Sequence, residues 1–191
     1  MIENFPELYR IASEFHTEVS QIPQIETVIT TNWDCLFEDN CDMFPIIYNE
    51  DAALWDTFEK RVFKIHGSIK NLGSIIATDA DYENCYLKLS TKPIGDRLKT
   101  ILSTKTVVFI GFSFGDEDLN KIIEILSDDL GQFANQFYLV TIDEKWLDNH
   151  PENIIPIITD GTYFVNSLKK ELIKRKIIFD SELYQFTEYA N

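Results

Sequence analysis

One stretch, residues 106–130, restricts the folds open to this chain more than any other. It starts with a bare apolar run, Val107-Val108-Phe109-Ile110, and turns through Gly111-Phe112-Ser113-Phe114-Gly115. Four consecutive apolar residues ahead of a glycine-bounded loop predict a short strand buried on both faces. Behind the loop, Leu119, Ile122, Ile123, Leu126 and Leu130 share one face of a helix, with Asp116 as its expected N-cap and Gly131 at its end. A buried strand that delivers a small-residue loop to a helix start is the repeating unit of a parallel α/β fold. Ligands of such folds sit outside the carboxyl ends of the strands.

The rest of the chain repeats that alternation. Leu8, Ile11, Ala12, Phe15 and Val19 recur at helical spacing, and Pro23 ends the helix they predict over 5–21. The β-branched run 27–31 predicts a buried strand, followed by a helical turn from Leu36. Residues 46–48 read as a short strand and 52–58 as a short helix. Residues 61–65 read as a strand with His66 at its exit, and 74–78 as another strand. Asp79 or Asp81 is placed to cap a helix running to Leu87, and Pro93 suits the first turn of the next. Strands follow at 137–142 and 154–158, then a helix over 164–176 and a tail rich in aromatic residues over 179–191. Strands separated by helices predict a Rossmann-like α/β domain, with a mostly parallel sheet and helices on both faces. No repeat or low-complexity linker divides residues 1–191, so they read as one domain. Its motifs fall in 25–142, and 160–191 form a C-terminal helix and tail.

Charge and cysteine usage narrow the partners. The formal charge is -15, with 17 Lys and Arg against 32 Asp and Glu. Such a surface repels phosphate backbones and argues against direct nucleic-acid binding. The one basic cluster, Lys169 to Lys176, reads as the solvated face and C-terminal end of a helix, where cations suit the dipole. Cys35, Cys41 and Cys85 are odd in number and form no C-x-x-C pair, which predicts free thiols in a reducing cytoplasm and no structural zinc. No apolar run approaches the ~18 residues of a membrane span, and the first residues lack the pattern of a secretory signal.

Polar residues stand at the strand exits: Thr31, Asn32 and Asp34 after the first strand, His66 after another, Gly111 and Ser113 after the central one, and Asp143 after the next. Parallel strands share a carboxyl edge, so these positions can converge although they are distant in sequence. Each signal has a plain structural alternative, since Asn and Gly are common turn residues and a lone His at a strand end is commonly structural. Gly111-Phe112-Ser113-Phe114-Gly115 also spells the G-x-S-x-G elbow of serine hydrolases, with Asp143 and His150 in triad order. Spacing opposes that reading. Asp143 and His150 fall in one loop, and Asp116, Glu117 and Asp118 put three carboxylates where an oxyanion would form.

Three segments in order carry a resemblance: Val28-Ile29-Thr30-Thr31-Asn32-Trp33-Asp34, Val62-Phe63-Lys64-Ile65-His66-Gly67-Ser68, and Phe109-Ile110-Gly111-Phe112-Ser113-Phe114-Gly115-Asp116. Together they resemble the SIR2-like domains of bacterial anti-phage defence proteins, relatives of sirtuins that mostly cleave NAD. The resemblance implies that NAD is bound as substrate and hydrolysed at the nicotinamide–ribose bond. It implies Asn32 and His66 as catalytic residues, the first holding the ribose and attacking water and the second acting as general base. Thr31, Asp34, Gly111, Ser113 and Asp143 would lie along the bound dinucleotide. It further implies self-association, or activation through an adjoining sensor domain or subunit. Two departures qualify it. The paired C-x-x-C zinc module of sirtuin deacylases is absent, which favours hydrolysis over deacylation. The family's early Gly-Ala-Gly loop, which holds the pyrophosphate, has no counterpart before Ile25, and the first glycine in the sequence is Gly67. The expectation is therefore a fold incomplete at its N-terminus, by at least one βα unit. A non-catalytic interaction module is the alternative to an NAD hydrolase, and a hydrolase using Ser113 is a further one.

Overall fold

The computed structural model describes residues 6–112, 136–148 and 150–178, with Asn120, Lys121 and Glu124. Ser113, most of the helix expected behind it and the tail beyond Ile178 lie outside the described residues. The elements in order are α1 (Pro6–Ser20), β1 (Thr27–Thr30), α2 (Leu36–Cys41), β2 (Phe44–Ile46), β3 (Arg61–Lys64), α3 (Asp79–Thr91), α4 (Pro93–Thr104), β4 (Val107–Ile110), β5 (Phe137–Thr141), β6 (Ile154–Ile158) and α5 (Gly161–Lys174). Short 3-10 turns join several of them.

All strand neighbours are parallel. Hydrogen bonding divides the strands into two groups of three, ordered β1-β3-β2 and β4-β5-β6. Helices cover both faces. On one, Cys85 and Leu89 of α3 and Ile94, Leu98 and Leu102 of α4 pack on Ile46, Phe63, Phe137, Leu139 and Ile154. On the other, Val19 of α1, Phe37 and Cys41 of α2 and Val165 of α5 pack on Val62, with Val28 and Ile110 against them. Each packed layer thus draws side chains from both strand groups, which joins them into one α/β body. The middle strands β3 and β5 are buried along most of their length, as the period-two alternation of a doubly covered strand requires.

The strands read from apolar runs appear where expected, with corrections. β1 and β4 are only partly buried, and each stands at the edge of its group among the described residues. The short strand expected at 46–48 lies at Phe44–Ile46, and the short helix expected at 52–58 is a 3-10 turn at Asn49–Leu54. The strand expected at 74–78 is absent: Leu72–Ser74 form a 3-10 turn and the chain runs on irregularly. There the Ile76 amide donates to the His66 carbonyl at 3.1 Å, a loop-to-loop bond in place of a ladder. The cap of α3 is Thr78, with Asp81 closing a capping box, so Asp81 serves as the N3 partner.

Candidate functional site

Two loops build the site. One leaves β1 and the other leaves β3, its parallel neighbour, so both emerge at the same edge of the sheet. Thr30 stands opposite Lys64 in register, and the Ile65 amide donates to the Thr30 carbonyl at 3.0 Å, which fixes the two exits side by side. Beyond them lies an open cleft of ≈ 500 Å³ lined by Thr31, Asn32, Trp33, Asp34, His66 and Ile69. That volume is in the range of small-molecule sites.

Bonds between and within the loops hold the arrangement. The Asn32 amide donates to Thr30 Oγ1 at 3.1 Å, and the Leu36 amide to Asp34 Oδ1 at 3.0 Å, so the β1 loop is folded over its own side chains. The Ile69 amide donates to the Trp33 carbonyl at 2.9 Å, and Cys35 Sγ lies 3.6 Å from Ser68 Oγ. Gly67 has φ +85°, and a Cβ there would sit 2.1 Å from the Ser74 carbonyl oxygen. No other residue fits that turn, which leads the chain from His66 straight back to Ser68. His66 is 5 % exposed, and its ring meets the Tyr82 ring edge-on, with centroids 5.2 Å apart, so α3 sets its orientation.

The structure therefore brings Thr31, Asn32, Asp34 and His66 together in one cleft. Gly111 and Asp143 do not line it, and Ser113 lies outside the described residues. Gly111 has φ +83° at the exit of β4, and none of the described residues comes within 4 Å of a Cβ placed there. Asp143 caps a 3-10 turn by accepting from the Lys145 amide at 3.1 Å. His150 is exposed, with Nδ1 3.0 Å from the Pro151 carbonyl. The acid and base of the serine-hydrolase order are each engaged locally.

Trp33 and Ile69 also line the cleft, and neither was singled out from the sequence. Trp33 is 41 % exposed, which offers a flat apolar face beside Asn32. An aromatic residue at a strand exit between two polar residues was the available signal. Lys64 was also missed: it lies directly under the loop, 1 % exposed, with its Nζ bonded to the Asp34 carbonyl and 3.2 Å from Glu38 Oε1.

A doubly covered parallel sheet with a polar cleft at the carboxyl ends of adjacent strands defines an α/β domain of the Rossmann-like class, with its cleft where such folds place their ligands. The profile of the SIR2-like domain matches residues 26–155, and the chain belongs to that family. The chain is 35% identical over 129 residues to an NAD(+) hydrolase ThsA from Enterococcus faecium, an alignment that covers 64% of this chain and 26% of the relative. It is 32% identical over 145 residues to an NAD(+) hydrolase ThsA from Cytobacillus dafuensis, covering 72% of this chain and 28% of the relative. Defense-associated sirtuin 2 of Bacillus subtilis is 30% identical over 160 residues, covering 78% of this chain and 16% of the relative. The chain thus spans roughly a quarter or less of each of these three relatives' length.

Proposed function

We propose that this domain binds NAD as a substrate and contributes to hydrolysis of its nicotinamide–ribose bond, in prokaryotic anti-phage defence. The observation that carries the reading is the shared cleft of Asn32 and His66, reached from neighbouring strands and flanked by Thr31 and Asp34. The relatives named NAD(+) hydrolase support the choice of substrate.

The chemistry suits these residue types. The bond from ribose C1′ to the pyridinium nitrogen breaks with its electron pair passing to nitrogen, so nicotinamide leaves neutral and needs no acid. Water then bonds to C1′ and gives up a proton. In this proposal Asn32 orients the ribose and the water, and His66 accepts the proton, as an imidazole within reach of a reacting water can. Trp33 provides an apolar wall for the planar ring. The reading also assigns Gly111, Ser113 and Asp143 to the remainder of the nucleotide.

Nicotinamide release from NAD is the test, measured on this chain. Asn32→Ala and His66→Ala are each expected to lower turnover by about 10²-fold or more. Variants as active as the parent overturn the assignment. The second reading, a non-catalytic interaction module, is favoured by one observation: residues 1–66 contain no glycine, so these residues supply no glycine-rich pyrophosphate loop of their own. A folded protein with no NAD-induced change in melting temperature and no turnover would select it.

A further inference from the structure

Lys64 is an unusual residue for the place it occupies. It is the last residue of the central strand β3, and its side chain is 1 % exposed. Buried lysines are rare unless paired, because the ammonium loses its water. Two groups replace that water here. Glu38 of α2 supplies a carboxylate oxygen 3.2 Å away, and the backbone carbonyl of Asp34 accepts a hydrogen bond. The second oxygen of Glu38 is buried with no hydrogen-bond partner among the described residues, so the pair is not fully satisfied. A buried, half-satisfied ion pair is a poor device for stability, and apolar residues of similar volume commonly replace such pairs without loss.

The geometry gives it another use. The Asp34 carbonyl belongs to the loop that carries Asn32 and Trp33 into the cleft. Beside the bonds from the neighbouring loop, the ammonium reaches this loop from beneath, out of strand β3. Two residues further along β3's exit stands His66. One short segment therefore presents the cleft's histidine on one side and anchors the loop of the cleft's asparagine on the other.

We propose that Lys64 is a positioning residue of this site. Paired with Glu38, it fixes the Asn32-Trp33-Asp34 loop at the height and orientation that face His66. The inference rests on the NAD hydrolase reading for its catalytic consequence, but the loop anchoring stands on geometry alone. A small misplacement of a reacting group lowers turnover steeply and substrate affinity little.

The test separates anchoring from folding and from function. Lys64→Met leaves Glu38 buried and unpaired, so the decisive protein is the double variant Lys64→Met with Glu38→Leu, which removes both charges and keeps the volume. It is expected to fold with a melting temperature near the parent's. Amide hydrogen exchange over residues 31–36 is expected to become several-fold faster, with β5 as protected as before. In a protein that releases nicotinamide, kcat is expected to fall by about 10²-fold with KM little changed. A folded double variant with parental exchange over 31–36 overturns the proposal. So does one that fails to fold, since the pair would then hold the fold and not the loop. If the parent releases no nicotinamide, the hydrolase reading falls, and the exchange measurement still decides the role of Lys64.

Discussion

Single side chains in this domain are governed by what replaces water around them. His16 of α1 is buried beside Phe15 and Phe37, its ring centroid 4.5 Å from that of Phe37. Burial holds its imidazole below the ordinary histidine value, partly offset by the charge of Asp34 and a backbone hydrogen bond. The unfolded chain therefore takes up this proton at a higher pH than the folded one. Stability from a neutral His16 is present above about pH 6.5 and is lost as pH falls through the folded value. Unfolding free energies measured by denaturant from pH 7.5 to 5.5 should decline for the parent and decline less for His16→Phe. Equal slopes would remove His16 from the acid sensitivity. Cys41 follows the same rule: burial raises its thiol to about 11, which makes it an unreactive packing residue. At this scale the sequence was informative about type and weak about environment. His66 and Asn32 were legible as strand-exit residues. Lys64 was not, because in the strand run Arg61-Val62-Phe63-Lys64-Ile65 it shares a face with Val62, and only the packing of α2 shows that this face is covered.

Elements form where local chemistry and packing agree. The start of α3 shows the local part plainly. Thr78 Oγ1 accepts from the Asp81 amide at 3.3 Å, and Asp81 Oδ2 accepts from the Thr78 amide at 2.9 Å and from Thr78 Oγ1 at 2.8 Å. These bonds lower the Asp81 pKa, first through the Thr78 side chain and then through backbone amides. Removing the cap hydroxyl in Thr78→Ala should cost about 1 kcal/mol, seen as a melting temperature lower by roughly 2–4 °C. An unchanged melting temperature would mean that packing of Cys85 and Leu89 alone sets where α3 begins. Strongly periodic or apolar elements, α1 and β4 to β6, were legible from sequence. The segment 74–78 misled, because Ile75 and Ile76 are β-branched like strand residues. Propensity of that kind reports fit to a half-buried surface, and a loop tied to His66 also provides one.

At the scale of the whole molecule, charge and layering dominate. The net charge of -15 adds self-repulsion to the compact state. Local pairs offset part of it, such as Lys169 with Glu18 at 2.6 Å, which clamps α5 to α1, and the exposed Lys70 with Asp39 at 2.9 Å. Added salt screens the long-range repulsion more than these short, partly buried contacts. The melting temperature should therefore rise as NaCl goes from about 10 to 200 mM, where the Debye length shortens from about 30 Å to under 10 Å. A fall would show that the local pairs outweigh the repulsion. None of the described helices is long and apolar enough to cross a membrane. The alternation of strands and helices was determined by sequence alone, because hydrophobic period is a local property that each segment carries with it. The three motifs that mark a SIR2-like domain were determined in the same way. Tertiary structure decided what no local pattern holds. It decided that β3 lies between β1 and β2, that Asn32 and His66 share a cleft which Gly111 and Asp143 do not line, and that Lys64 sits beneath the loop. Those facts depend on which strands become neighbours, and that choice is made by burying both faces of the sheet at once.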